Sequence, residues 1–153
     1  MRFSDIGLNV GGWCWNLLIG IGVSFLPLGL QAFYRRLYPL PDMKDKSLAG
    51  ESTANWILSQ LLSVLAEELW MAFCLVSLIR TGHSAIVAVI VTAFVFGALH
   101  FQYRSGAVGT ALYGAVSSFL FLWRGSLLPS YLFHYIGNMG SFYWARYASR
   151  RAN

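Results

Sequence analysis

Charge is what this sequence lacks most. Of its 153 residues only 11% are Asp, Glu, Lys or Arg, against about 25% in a soluble domain. A chain so poor in charge cannot cover itself with a wettable surface, which excludes an ordinary water-soluble globule. Cysteine is equally scarce. Cys14 and Cys74 both fall inside apolar runs, so neither a disulfide framework nor zinc-type Cys spacing is implied. Low-complexity tracts and internal repeats are also missing, which removes disordered linkers and repeat arrays from consideration.

What is present is apolar. Hydrophobic residues make up 57% of the chain, and the mean hydropathy is +0.56. Five runs stand out, at 8–32, 53–79, 84–101, 106–123 and 127–147, each near the roughly 20 residues a helix needs to cross hydrocarbon. The pattern predicts an all-α fold, a polytopic bundle of about five transmembrane helices in a single membrane domain covering 1–153. Tyr38 to Ser52, with Pro39, Pro41, Asp42, Lys44, Asp45 and Lys46, is the one real loop. Ser52 or Thr53 can cap the second helix, and Pro129 is tolerable in the first turn of the fifth. The first run is too long for a signal-peptide core and is followed by no small-residue cleavage site, so it reads as a retained helix.

The net charge of +5 would suggest nucleic acid in a soluble protein. Here the basic residues flank apolar runs, so the expected partner is the lipid bilayer and not nucleic acid. With an odd number of spans, Arg35, Arg36, Lys44, Lys46, Arg104, Arg146, Arg150 and Arg151 share one side, and Arg2, Arg80 and Arg124 the other. The positive-inside rule then puts the N-terminus outside and the C-terminus in the cytoplasm, with a bacterial plasma membrane as the expected home. Small residues recur four apart at Gly7 and Gly11, at Ala107, Ala111 and Ala115, and at Gly114 and Ser118; these are expected to let helices pack closely.

Six acids remain to be placed. Asp5, Asp42, Asp45 and Glu51 lie outside the spans, but Glu67 and Glu68 sit side by side in the middle of the second. A charged acid at a helix centre costs about 2.5–3.5 kcal/mol on insertion scales, and two adjacent ones repel unless a proton or a cation intervenes. Such a pair marks a functional site. Gln60, Ser63, Glu67 and Cys74 form one polar stripe, whereas Glu68 shares its face with Leu61, Val64, Ala72 and Leu75. Glu67 is thus expected in a wet interior, with Glu68 on an adjoining face needing its own partner. His100 ends the third run on a stripe with Thr92 and Phe96. Ser130, His134, Asn138 and Ser141 form a further stripe on the fifth. His83 falls in a short loop and is expected to be solvated.

Glu67-Glu68, then Phe96-Gly97-Ala98-Leu99-His100, then His134-Tyr135-Ile136-Gly137-Asn138 resemble the three motifs EExxxR, FxxxH and HxxxN of the CPBP family. That family groups CAAX prenyl endopeptidases, bacteriocin-processing enzymes and related immunity proteins. The resemblance covers about Ser52 to Ser141, including Arg124-Gly125-Ser126-Leu127 on the approach to the third motif. It implies a glutamate-dependent intramembrane endopeptidase acting on a peptide or protein substrate at the membrane. By motif position, Glu67, Glu68, His100, His134 and Asn138 are the catalytic set. Glu67 with His100 would activate a water, and His134 with Asn138 would stabilise the oxyanion. No cofactor is implied; zinc held by Glu and His is the rival within the enzyme class, although no HExxH pairing is present.

The motif's Arg is replaced by Ala72. That leaves Glu68 without its expected counter-charge unless another cation, such as Arg104, substitutes, and it makes Ala72→Arg an expected gain of activity. It also keeps open a non-catalytic scaffold or bacteriocin self-immunity protein of the same fold, and buried Glu and His would equally suit a proton or ion conductor. Counted along straight helices, Glu67 lies mid-membrane, His100 near the cytoplasmic end and His134 in the outer half, so convergence requires tilted or shifted helices. Substrate identity and oligomeric state leave no mark on the sequence.

Overall fold

The computed structural model describes residues 7–8, 11–37, 52–101 and 106–151. They form five helices and, among the described residues, no strand: α1 (Trp13–Leu37), α2 (Thr53–Arg80), α3 (Ala85–Leu99), α4 (Gly106–Arg124) and α5 (Leu127–Arg151). Residues 38–51 of the expected loop from Tyr38 to Ser52, and the charged positions Arg2, Asp5 and Arg104, lie outside the described residues.

Local chemistry sets most of the helix ends. The Ser52 side chain accepts from the Asn55 N–H at 3.2 Å and starts α2. Ser84 does the same for α3 through Val87 at 3.3 Å, the usual way a helix satisfies its first donors. Gly82, at a φ of 93°, makes the turn between the two, with His83 exposed beside it. Pro129 falls in the first turn of α5, where its missing N–H costs nothing. The first helix differs from the expected span. It starts at Trp13 rather than Leu8, after a turn at Gly11 and Gly12, and continues through Tyr34-Arg35-Arg36 to Leu37. Apolarity marks where lipid lies, whereas the helix ends only where its hydrogen bonding ends, so the two limits need not coincide.

α1 and α2 each contain a stretch long and apolar enough to cross a membrane, Trp13–Leu30 and Thr53–Arg80, and α3 is a shorter apolar helix. The outer faces agree with that environment. Large apolar side chains stand exposed along every helix, including Phe25 and Leu30 on α1, Leu58 and Leu62 on α2, Ile86 and Phe94 on α3, and Leu112 and Phe119 on α4. In water such a continuous apolar coat would drive aggregation; in hydrocarbon it is the solvated surface. The chain is an integral membrane helix bundle.

The interior is narrow. Ala72 and Leu75 of α2, Ala88 of α3, Phe121 of α4 and Leu127 of α5 form one buried apolar cluster. α3 lies against α4 because their contact surface is small. A Cβ on Gly97 would sit 2.7 Å from the Ala111 Cβ and 2.9 Å from the Ala107 carbonyl oxygen, and Gly114 leaves room for the Phe96 ring, 3.0 Å from where its own Cβ would be. Without a hydrophobic driving force between helices in lipid, this close approach is what holds them together. Gly7 serves another purpose. It adopts a φ of 79° and its carbonyl accepts from the Leu127 N–H at 3.0 Å, tying the N-terminal segment to the start of α5. α1 packs along α5, where Ser24 donates to Gly20 and Leu132 carbonyls. It is tied to α4 by Arg124 Nε donating to the buried Asn16 Oδ1 at 2.9 Å.

Candidate active site

α2 and α5 run antiparallel, and their polar positions face one another. Thr53 meets Arg146, Trp56 stacks on Phe142 at 3.8 Å, and Asn138 Nδ2 donates to Gln60 Oε1 at 2.9 Å. Two turns further along α2 come the glutamates, and one turn back along α5 comes His134. The stripes expected on the two helices are therefore two halves of one polar seam.

His134 sits between both acids. Its Nδ1 is 2.9 Å from Glu68 Oε1 and its Nε2 is 3.6 Å from Glu67 Oε2. Ser117 of α4 supplies a further donor, its hydroxyl lying 2.8 and 2.9 Å from the two Glu68 oxygens. The Glu68 side chain is 2% exposed and that of Glu67 33%. Here the expected assignment of faces is reversed. Glu68 occupies the packed interior with Val64, Met71, Ala72 and Leu75, and Glu67 stands at the rim, with Ser63 Oγ 3.5 Å away. The reason is that lipid is as apolar as a protein core, so polarity does not mark a helix's inner face. Closeness of packing does, and small Ala72 brings the neighbouring helices in on the Glu68 side.

His100 caps α3 through its backbone N–H, which donates to Gly97 at 3.0 Å. Its ring Nδ1 lies 2.8 Å from the Phe96 carbonyl oxygen. A carbonyl can only accept, so Nδ1 carries the proton and Nε2 of the neutral ring is an acceptor. Phe96 contacts both imidazoles, its ring centroid 4.6 Å from that of His100 and 5.7 Å from that of His134. Tyr113 closes the other side of His134 at 5.4 Å while its hydroxyl donates to the Phe133 carbonyl at 2.5 Å. Gly137 makes room for that phenol: a Cβ there would overlap it.

Of the five residues singled out from sequence, Glu67, Glu68 and His134 are thus in direct contact. Asn138 lies one turn from His134, and His100 adjoins the group across Phe96. The expected difference in depth does not keep the glutamates from His134. α5 begins inset, with Leu127 buried beside Ala72 and Leu75, about two turns inside the end of α2 at Arg80. Ser117 was missed from sequence, since a serine in a helix of small residues reads as packing; only its partner across the bundle distinguishes it. Ala72 is 3% exposed within the apolar cluster, and the suggested substitute Arg104 lies outside the described residues. No group of three or more His, Cys, Asp or Glu side chains among the described residues is arranged to hold a metal ion.

The fold and this seam define a helical membrane protein with a Glu–His–Glu centre, Glu68 and His134 buried and Glu67 at its rim. The model of one family, type II CAAX prenyl endopeptidase Rce1-like, matches residues 49–140, which include α2 through most of α5 and every residue of the site. The chain belongs to that family. No curated protein and no solved structure matches it.

Proposed function

We propose that the chain is an intramembrane endopeptidase in which Glu67, assisted by His100, activates a water for attack on a peptide carbonyl. The Glu67 side chain is 33% exposed against 2% for Glu68, so Glu67 is the acid that water can reach. As general base it takes one proton from the water while the oxygen bonds to the carbonyl carbon. The oxyanion that forms receives hydrogen bonds from His134 Nε2–H and from the second Nδ2–H of Asn138, the first being held by Gln60. Collapse re-forms the carbonyl and breaks the C–N bond, and Glu67 returns the proton to the departing amine. One water is consumed and no cofactor is needed.

The single observation that carries this reading is the placement of His134 between two acids of different exposure. Glu68, buried and donated to by Ser117, holds the ring from behind; Glu67 stands in front of the other nitrogen. That geometry supports a division of labour between an orienting acid and a working acid. Membership of the family matching 49–140 supports a protease, with a prenylated CAAX peptide as one substrate class among membrane-proximal peptides. Orientation follows the positive-inside count, with the N-terminus outside a bacterial plasma membrane and the C-terminus in the cytoplasm.

One observation favours a second reading. Ala72 stands where the family motif has Arg, and it is packed into the apolar cluster. A non-catalytic scaffold or self-immunity protein would tolerate this without loss. Cleavage of a membrane-anchored peptide in proteoliposomes separates the two. The protease reading expects cleavage by the wild type that resists chelators and is lost in Glu67→Gln, His100→Ala and His134→Ala at unchanged thermal stability. Wild type and variants indistinguishable from empty liposomes would favour the scaffold, and chelator-sensitive cleavage would reinstate zinc.

A further inference from the structure

Glu68 has a second neighbourhood, a small cavity that His134 does not line. Ser118 of α4 is 3% exposed, and its hydroxyl is fully buried without a hydrogen-bond partner. An unpaired buried hydroxyl costs about 1–3 kcal/mol, so such groups are rare in folded proteins. This one does not face a purely apolar wall. It lines a cavity of about 10 Å³ together with Glu68, Ala72, Ser117, Phe121 and Leu127. A single buried water needs about 10–15 Å³ of such space and two to four polar partners.

The geometry points to a one-water site between α2 and α4, in which the water accepts from the Ser118 hydroxyl and donates to Glu68 Oε2. The hydrogen-bond capacity of Glu68 allows it. Oε1 already faces His134 Nδ1. Ser117 has one hydroxyl proton for the two oxygens it approaches at 2.8 and 2.9 Å, so it serves one at a time. Oε2 therefore has lone-pair capacity left over, and the cavity is where a donor for it would sit. The small side chain of Ala72 leaves that space. Phe121 and Leu127 line its apolar side.

Filled in this way, the seam becomes one hydrogen-bonded chain running from Ser118 through the water and Glu68 to His134, whose Nε2 stands 3.6 Å from Glu67 at the rim. Ser118 is then a positioning residue. Through the water it fixes the Glu68 carboxylate plane, and through that plane the His134 ring. The site requires no turnover, so it stands or falls separately from the protease reading.

The test is a structure of the full chain in lipid nanodiscs, at a resolution that shows buried waters, for the wild type and Ser118→Ala. Density for one water within hydrogen-bond distance of Ser118 Oγ and Glu68 Oε2, lost in Ser118→Ala, is the expected result. Thermal unfolding gives an independent sign. In a wet cavity Ser118→Ala breaks a bridge and lowers the unfolding temperature by a few degrees, whereas in a dry one it deletes an unsatisfied hydroxyl and raises it. The infrared carboxyl band assigned through Glu68→Gln should also shift in Ser118→Ala. No density in the wild type, density with the short contacts of a metal ion, or a raised unfolding temperature with an unmoved Glu68 band would overturn the proposal.

Discussion

In the proposed mechanism His134 has two jobs that compete for protons. Its Nδ1 faces the Glu68 carboxylate, and as oxyanion donor its Nε2 must carry a hydrogen as well. That requires the Glu68–His134 pair to hold one proton more than a neutral ring beside an ionised acid, either as imidazolium and carboxylate or as Nε2–H imidazole and carboxylic acid. Glu67 must be unprotonated at the same moment to act as base. Glu68→Gln, which removes the carboxylate behind the ring, should therefore lower kcat while the fold is kept. Asn138→Ala should lower kcat by about 10²–10³-fold, since it removes a donor to the oxyanion. An undiminished kcat in Glu68→Gln would mean that Glu68 does not govern the protons of His134. The structure adds a stability cost to the gain of activity expected from Ala72→Arg. With Ala72 3% exposed in an apolar cluster beside a cavity of about 10 Å³, a guanidinium has no room. The variant should unfold at lower temperature, overpacking costing about 1–3 kcal/mol before any charge burial is counted.

Among the elements, α2 and α5 carry the site and α3 and α4 compress it. The polar stripes on α2 and α5 were legible because helical spacing aligns Gln60 with Glu67 and His134 with Asn138. That they face each other was not, because nothing in a periodicity gives the register between two helices. The inset start of α5 beside Ala72 sets it. The small residues on α4 were legible as packing positions, but their partner Gly97 was visible only as part of a motif. Gly97→Val should force α3 from Ala107 and Ala111. Its added methyls have no room where even a Cβ would meet the Ala111 Cβ at 2.7 Å, and a fall in thermal stability is expected. The same variant should displace His100, three residues on, so that cleavage falls too. Retention of both would mean that the contact between α3 and α4 is looser than described.

At the scale of the whole molecule, composition alone was enough for the membrane helix bundle. Too little charge and five apolar runs leave no soluble alternative, and the exposed side chains of every helix agree. Where lipid looks like core, however, composition cannot tell inside from outside, which is why Glu67 and Glu68 exchanged places between expectation and structure. Whether the assembled seam works as one machine is a question for the whole chain, and a double-mutant cycle on cleavage in proteoliposomes answers it most directly. Glu67→Gln, His134→Ala and the double variant are compared by kcat/KM. Residues that act as a unit are strongly non-additive, so the double variant should lose no more than the worse single one. Losses that multiply would show that Glu67 and His134 serve separate ends, and the shared centre between α2 and α5 would have to be abandoned.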